Sequence, residues 1–303
     1  MVLKVGYVPE HFSTPIAFAQ SKGFFKEQGI EVELIPYPSG SGHLIQSLGD
    51  DSIDIAIGLT EAFVRGLAQG NESYKLLGTY VESPLRWSVS TGYNRDEISS
   101  TLELQSKKVS VSRIGSGSYV MAFVLALQLE FDQPFYESFP VVSTFKNLRD
   151  SVNRKEGVEP SDAFMWEYFT TKRYYDNKEV KKIGEIYTPW PSWVFNARAE
   201  TLRSNREEVL KFTKAVRKGI EYFNANPEEA IKYIYTNLDY SEEDAKEWIK
   251  TVTFNKNITE ASSFDYESAI NKTYKVLIKA GVLKESEDDL IVQRLSNGVV
   301  NDI

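Results

Sequence analysis

The first third of the 303-residue chain alternates short β-rich segments with segments of helical periodicity. Strands are predicted at 4–8, 30–35, 53–58 and 76–81, with helices at 16–25, 44–48 and 62–68 between them. Parallel strands need a crossover connection, and a helix usually supplies it. This order therefore predicts an α/β fold built around parallel strands.

The same order of segments recurs later in the chain. KVGYV at 4–8 is followed by KVSVS at 108–112, and SIDIAIGLTEAF at 52–63 by PSDAFMWEYF at 160–169. Further strands are predicted at 141–144 and 162–164, and further helices within 116–129 and at 166–175. The recurrence predicts two lobes of similar build.

Two segments are interpreted as crossovers between the lobes, PLRWSVSTGY at 84–93 and YTPWPSWVF at 187–195. Two crossings mean that the second lobe, residues 89–191, is inserted into a first lobe made of residues 1–88 and 192–303. After Asn196 the pattern is helical, with helices predicted at 200–223, 227–235, 242–252 and 266–281. We expect this helical tail to pack on the first lobe, and the hinge to suit closure around a ligand.

The composition restricts the possible partners. The net charge is −8, and an acidic chain repels phosphate backbones, so nucleic acid is not an expected partner. No apolar run is long enough to insert across a membrane, and the absence of cysteine excludes disulfides and thiol chemistry. No secretory signal is visible, which predicts a cytoplasmic protein, or a periplasmic or extracellular one if a targeting peptide was removed. A homo-oligomer is left open.

Two short loops of glycine and serine each precede a predicted helix. Their candidate ligand-binding residues are Ser39, Gly40, Ser41, Gly42 and His43 in the first loop, and Ser116, Gly117, Ser118 and Tyr119 in the second. Glycine lets a backbone approach a ligand closely, and the free N–H groups at a helix start attract anions. The alternative is that both are flexible turns.

Acidic residues follow a predicted strand in each lobe. Thr60 and Glu61 come directly after IDIAIG, and Trp166 and Glu167 take the matching place in the second lobe. Ligands of open α/β sheets sit beyond the carboxyl ends of the strands, so these four residues are candidates for the site. The alternative is that each glutamate only stabilises the start of its helix.

Aromatic and histidine side chains complete the candidate site. Tyr187, Trp190 and Trp193 lie in the second crossover, where they could sandwich a flat ligand or simply pack the hinge. His11 follows the first strand, as a ligand-binding residue or as part of a surface loop. The two histidines lack a carboxylate pair at ligand spacing, so no metal and no cofactor is predicted.

PIAFAQSKGFFKEQGIEVELIPYPSGSG at 15–42 and SIDIAIGLTEAFVRGLAQG at 52–70 resemble a known family. It is the type 2 periplasmic binding proteins of the alkanesulfonate, nitrate, taurine and thiamine-pyrimidine branch, which includes the fungal "no message in thiamine" pyrimidine synthases. The resemblance covers roughly residues 4–225. It implies the two-lobed type 2 fold and a small ligand: a sulfonate, nitrate or an aminopyrimidine precursor of thiamine.

The chain departs from the synthases at the positions that the resemblance assigns to catalysis. The catalytic lysine falls on Thr60, the histidine at or beside Glu61, and the cysteine-rich stretch on TPWPSWVF at 188–195, which has no cysteine. The leading hypothesis is a binding protein for a small planar or anionic metabolite, with a thiamine-type pyrimidine precursor first. The alternatives are an enzyme using His11, His43, Glu61 or Glu167 as acid or base, and a non-binding assembly protein.

Overall fold

The computed structural model describes residues 2–258 and 265–300, and its strands form two separate sheets. The strands are β1 (Val2–Tyr7), β2 (Glu31–Pro36), β3 (Ile55–Leu59), β4 (Tyr74–Val81), β5 (Arg86–Gly92), β6 (Val109–Ser110), β7 (Ala163–Glu167), β8 (Val180–Tyr187) and β9 (Trp193–Arg198). Their order is β2-β1-β3-β9-β4 in the first sheet and β6-β7-β5-β8 in the second. The predicted two-lobed α/β architecture is confirmed.

The first sheet combines parallel strands with one antiparallel strand. β1 pairs in parallel with β2 and β3, as the strand–helix alternation predicts. β9 runs antiparallel between β3 and β4 and closes the sheet after the second lobe. The segment interpreted as the second crossover, 187–195, leads from β8 of the second sheet to β9 of the first, and its residues from Trp193 onward already belong to β9. Pro189 and Pro191 lie shortly before β9. Because proline is disfavoured in central strands, the sequence did not indicate that a strand starts here.

The second sheet differs more from the prediction. The segment 84–93 contains β5, a central strand antiparallel to both β7 and β8, rather than a crossover alone. The strand predicted at 108–112 shortens to β6, and the one at 141–144 is a single bridge between Val111 and Val141. β8 was missed because its sequence, VKKIGEIY, is rich in charge and it lies at the sheet edge, half-exposed.

Helices cover the sheets and form the C-terminal part of the chain. They are α1 (Thr14–Ser21), α2 (Phe24–Glu27), α3 (Ser41–Gly49), α4 (Thr60–Ala68), α5 (Gly117–Gln128), α6 (Phe145–Val152), α7 (Tyr168–Asp176), α8 (Ala199–Ser204), α9 (Arg206–Ala225), α10 (Pro227–Asn237), α11 (Glu242–Ile249), α12 (Lys272–Lys279) and α13 (Asp288–Gly298). Short 3₁₀ turns cover His11–Ser13, Thr101–Leu104 and Glu285–Glu287, and a π-helical turn, Glu267–Asn271, precedes α12. No described helix is long and apolar enough to cross a bilayer.

Local sequence explains several helix boundaries. The predicted helix 16–25 breaks at Gly23, whose φ of +79° is left-handed and favours glycine. The predicted helix 200–223 breaks at Asn205 into α8 and α9. Pro227 is the first residue of α10, where its missing N–H costs nothing. Asn226 precedes it at the N-cap position, but its side chain does not cap the helix and instead donates back to the carbonyl of Tyr222 at 2.9 Å.

The C-terminal helices contact both lobes. α9 packs on α1 and α2 of the first lobe, whereas α12 packs on α4 and also on α5 of the second. Tyr240 and Thr170 of α7 share a hydroxyl hydrogen bond of 2.8 Å, and Lys172 pairs with Asp244 at 3.3 Å. The expectation that the tail packs on the first lobe is therefore incomplete, and the tail bridges the two lobes.

The two crossovers are tied to each other between the sheets. The N–H of Leu85 donates to the Thr188 hydroxyl at 2.9 Å, and the Ser192 hydroxyl donates to the carbonyl of Ser83 at 2.7 Å. Such side chain–backbone hydrogen bonds fix the path of both connections at one place. The division into residues 1–88 with 192–303 and residues 89–191 stays a prediction.

Candidate functional site

A cleft lies where the two lobes meet. The cavity volume between its walls is about 30 Å³, so the lobes lie close together and a ligand larger than water needs them to open. The cleft is lined by Val8, Glu10, Ser39, Gly40, Ser41, Leu59, Leu85, Trp87, Ser112, Ser116, Gly117, Ser118, Trp166, Glu167 and Trp193. This mixture of apolar walls with a few polar groups is typical of small-molecule sites.

The first glycine–serine loop is fastened to the end of β3. Gly40 has a φ of +80°, and the buried Ser41 hydroxyl accepts a 2.8 Å hydrogen bond from the N–H of Leu59. Of the predicted loop residues, the first three line the cleft. Gly42 and His43 lie outside it, and the His43 ring packs edge-on against Tyr37 with centroids 4.8 Å apart.

The second loop meets the first lobe at a glycine. A Cβ at Gly117 would lie 2.5 Å from Leu59 Cδ1 and 3.0 Å from Trp87 Cη2, so a side chain there would push the walls of the cleft apart. The hydroxyls of Ser116 and Ser118 are 2.9 Å apart and both residues line the cleft. Glycine is therefore required here by a close approach between lobes.

Two buried carboxyl groups lie in the cleft wall, one from each lobe. Trp166 Nε1 donates to Glu10 Oε1 at 3.3 Å, and the N–H of Thr170 donates to Glu167 Oε2 at 2.7 Å. Burial, and to a smaller extent the nearby carboxylate of Glu167, raise the pKa of Glu10 to about 8. At neutral pH Glu10 thus keeps its proton beside the Glu167 carboxyl group.

His11 lies behind this carboxyl pair rather than in the cleft. Its ring is stacked between Tyr240 at 4.4 Å and Trp248 at 4.2 Å, and it is fully buried. Nε2 lies 3.5 Å from Glu167 Oε2, and neither ring nitrogen has a hydrogen-bond partner among the described residues. The predicted site residue is therefore a neighbour of Glu167, not a lining residue.

Thr60 and Glu61 tie the start of α4 to the second crossover. The Thr60 hydroxyl donates to the carbonyl of Pro191 at 2.5 Å, and Trp190 Nε1 donates to Glu61 Oε2 at 2.8 Å. Glu61 is fully buried, its Oε1 has no hydrogen-bond partner in the described chain, and burial raises its pKa to about 7. None of these residues lines the cleft.

Two of the predicted aromatic residues also lie away from the cleft. The Tyr187 side chain is half-exposed, beside Trp248 in a separate surface pocket. Tyr119 packs edge-on against Phe123 with centroids 4.9 Å apart, on the outer side of the second loop. Among residues 2–258 and 265–300, no group of three or more histidine, aspartate or glutamate side chains could hold a metal ion.

Sequence reasoning missed several lining residues. They are Val8, Glu10, Leu59, Leu85, Trp87 and Ser112. Glu10 lies in the loop Pro9–Phe12 after the first strand, which the rule of strand ends selected but from which only His11 was taken. Ser112 also follows a strand end, and the same rule could have found it. Trp87 was hidden because its segment was interpreted as a connection, whereas it is the second residue of a central strand.

Solved structures place this arrangement in a known class. The nitrate-binding protein NrtA of Synechocystis PCC 6803 aligns with a TM-score of 0.73 at 17% identity, over 99% of this chain and 86% of that chain. The alkanesulfonate-binding protein SsuA of Xanthomonas axonopodis pv. citri, bound to MOPS, aligns with 0.71 at 12% identity, over 99% and 98%. At these identities the likeness shows the fold alone, and the fold is that of the periplasmic binding proteins.

A far more similar structure defines the family. The Candida albicans CA3427 gene product, described as defining a new family with the generic periplasmic binding protein fold, is 52% identical. It aligns with a TM-score of 0.95 over 100% of this chain and 97% of that chain. Residues 87–186 match the Ca3427-like periplasmic binding protein model, and residues 2–119 the NMT1-like family model. The chain belongs to the Ca3427-like family.

Two curated relatives confirm the resemblance to the thiamine-pyrimidine branch. Both are named 4-amino-5-hydroxymethyl-2-methylpyrimidine phosphate synthase. THI11 of Saccharomyces cerevisiae is 22% identical over 75% of this chain and 68% of its own length. The Aspergillus parasiticus protein is 23% identical over 73% and 66%. The chain thus spans about two thirds of the length of these relatives.

Proposed function

We propose that this protein binds, in the interlobe cleft, a small planar metabolite that donates hydrogen bonds, of the 4-aminopyrimidine class. The observation that carries the proposal is the pair of buried carboxyl groups, Glu10 and Glu167, in a wall that also contains Trp166. No lysine or arginine is among the described residues that line the cleft. The sequence predicted a planar or an anionic ligand, and the absence of a cationic side chain among these residues favours the planar one.

The protonation of the carboxyl pair supports an aminopyrimidine. Glu10, with its pKa raised to about 8 by burial, can donate its proton to a ring nitrogen. The Glu167 side chain has a second oxygen that can accept from an exocyclic amino group. A nitrate or sulfonate would instead add negative charge beside two carboxyl groups without a cation to balance it, which is costly at a buried position.

Indole rings supply flat walls and free donors. Trp87, Trp166 and Trp193 all line the cleft, and a stacked or edge-on ring contributes about 0.5–1.5 kcal/mol beyond its buried area. The buried Nε1 atoms of Trp87 and Trp193 have no hydrogen-bond partner among the described residues. Buried N–H groups are nearly always paired, so a ligand acceptor would satisfy them.

One observation favours the enzyme as a second candidate. Glu10 has a pKa close to neutral, and His11 lies behind Glu167, an arrangement that general acid–base catalysis can use. The positions matched to the synthase lysine and histidine, Thr60 and Glu61, do not line the cleft. His43 also lies outside the cleft, so an enzyme would depend on Glu10, His11 and Glu167.

Calorimetry with 4-amino-5-hydroxymethyl-2-methylpyrimidine tests the proposal, after native mass spectrometry has shown whether a ligand co-purifies. Wild-type protein is expected to bind this pyrimidine, Glu167→Gln to bind it more weakly, and nitrate or ethanesulfonate to give no heat. Tighter binding of either anion, unchanged in Glu167→Gln, would overturn the proposal.

The same samples test the two alternatives. Conversion of the pyrimidine, monitored by chromatography, would identify an enzyme. A stable ligand-free dimer would favour the assembly role.

A further inference from the structure

A second concave surface lies on the outer side of the two loops, away from the cleft. This groove, of about 470 Å³, runs between α3 and α4 of the first lobe and residues 113–115 of the second. Its polar lining side chains are those of Gln46, Arg65, Gln69, Asn71 and Arg113. It shares no lining residue with the cleft.

Two arginines cross between the lobes in this groove. Arg65 of α4 lies over Gly115 so closely that a Cβ there would be 1.8 Å from its Nη1, and Gly115 has a φ of +84°. Arg113 reaches in the opposite direction, with its Cδ 3.3 Å from a Cβ built at Gly42 and its Nη1 donating to the carbonyl of Ser39 at 3.1 Å. Each lobe thus extends one guanidinium group over the other.

Neither guanidinium group has a carboxylate partner among the described residues. Arg95, Arg149 and Arg198 show the usual arrangement, with carboxylate oxygens at 2.5–3.1 Å. Arg65, by contrast, makes no ion pair with the described residues, and its guanidinium carbon lies 5.9 Å from the centre of the Tyr119 ring. Its buried Nε lacks a hydrogen-bond partner, as does that of Arg198. Burial lowers the pKa of both Arg65 and Arg113, which is the expected effect on a cation removed from water without compensation.

The remaining groups around the groove suit an anion. Gln46, Gln69 and Asn71 bring neutral amide donors, and no aspartate or glutamate is among its described lining residues. A third cation lies at the rim, where the Arg294 guanidinium group contacts Gly70 and donates to the carbonyl of Ala68 at 3.0 Å. In a chain of net charge −8, such a carboxylate-free cluster of arginines is a local exception.

We propose that this groove binds a phosphate group, either free or carried by a small phosphorylated metabolite, between Arg65 and Arg113. Arginine presents a planar fork of N–H donors that matches phosphate oxygens in pairs. Because one arginine comes from each lobe, a bound phosphate holds the closed arrangement together from outside. This site is independent of the ligand proposed for the cleft.

Phosphate titration by calorimetry, with potassium chloride at equal ionic strength as reference, tests the site. Inorganic phosphate is expected to bind wild-type protein, and Arg65→Gln and Arg113→Gln to weaken binding about tenfold or more each. Arg65→Lys keeps the positive charge but loses the planar fork of donors, so its phosphate affinity should lie between those of wild type and Arg65→Gln. The matched control is Arg203→Gln, an exposed arginine of α8 paired with Glu200. Glycerol 3-phosphate binding more tightly than phosphate would identify a monoester as the ligand.

A surface variant keeps the test informative if the arginine variants fail to fold. Gln69 is exposed at the groove, so Gln69→Glu should fold normally while its carboxylate repels phosphate and weakens binding. Glu167→Gln should leave the phosphate affinity intact, since the cleft and the groove are separate. Phosphate affinity equal in wild type, Arg113→Gln and Gln69→Glu would overturn the proposal, as would the absence of phosphate binding beyond the effect of chloride.

Discussion

Glu61 and Glu167 occupy matching places in the two lobes, yet only Glu167 lines the cleft. Glu61 is the second residue of α4 and accepts from Trp190 in the second crossover. Glu167 is the last residue of β7 and the N-cap of α7. The strand ends two residues before Glu61 but at Glu167 itself, and this offset turns the first carboxyl group inward and the second into the cleft. A matching motif therefore locates a neighbourhood but not the direction of a side chain.

The largest effect expected from this comparison is a pH dependence of stability. Glu10 and Glu61 have pKa values of about 8 and about 7 when folded, above the value of 4.5 for a free glutamate. The folded protein therefore holds protons that the unfolded chain releases, and stability falls as pH rises from about 4.5, levelling off above about 8. The free energy of unfolding should drop by about 6 kcal/mol between pH 5 and pH 9 if both shifts are realised in full.

Denaturant unfolding at several pH values measures this dependence in each carboxyl variant. Glu61→Gln should remove the part of the decline that ends near pH 7, and Glu10→Gln the part that extends to about 8. A wild-type protein that becomes more stable as pH rises through this range would contradict the assignment.

Ligand affinity separates the two matching glutamates next. Glu167→Gln should weaken binding of the aminopyrimidine by about thirtyfold, or about 2 kcal/mol, because a charged acceptor is lost in a buried site. Glu61→Gln should change affinity less than about twofold, since Glu61 does not line the cleft. Calorimetry at one pH gives both values, and equal losses in the two variants would show that the lobes' strand ends are equivalent after all.

The indole partners of the carboxyl groups give a smaller contrast. Trp190→Phe leaves Glu61 Oε2 without its 2.8 Å donor in a fully buried place and should lower the free energy of unfolding by about 1–2 kcal/mol. Trp166→Phe removes a longer contact of 3.3 Å to Glu10 and should cost less. Urea unfolding of both variants tests the order, and the reverse order would refute it.

The smallest expected effect concerns the tail beside Glu167. Tyr240→Phe removes the hydroxyl contact to Thr170 and should destabilise the protein by about 0.5–1 kcal/mol, as expected for one neutral hydrogen bond. Tyr235→Phe on the preceding helix is the matched control, and thermal unfolding compares them. A Tyr240 effect no larger than that of the control would show that this contact contributes nothing to holding the tail on the second lobe.

The sequence predicts the first lobe better than the second for a physical reason. In the first lobe β1, β2 and β3 are separated by helices, so periodicity and parallel pairing suffice to place them. In the second lobe, β5 pairs antiparallel with β7 and β8, which lie far along the chain, and no local pattern encodes such partners. β9 is the corresponding long-range strand of the first sheet.

Within the site, the same reasoning located the glycine–serine loops and Glu167 at the cleft. It placed His11 and Trp190 there as well, although both lie behind the wall. The ring of His11 is enclosed by Tyr240 and Trp248, which are more than two hundred residues further along the chain. Which side of a loop faces the ligand depends on such distant packing, and periodicity carries no information about it.

The bridging position of α12, packed on both α4 and α5, has a consequence for kinetics. A two-lobed protein that is joined only by its crossovers exchanges ligand as fast as the hinge bends. Here, separation of the lobes also requires α12 to slide or detach from one of its two neighbours. Collective helix motions of this kind occur in about microseconds to milliseconds. We therefore expect α12, which does not line the cleft, to limit how fast a ligand bound there would exchange.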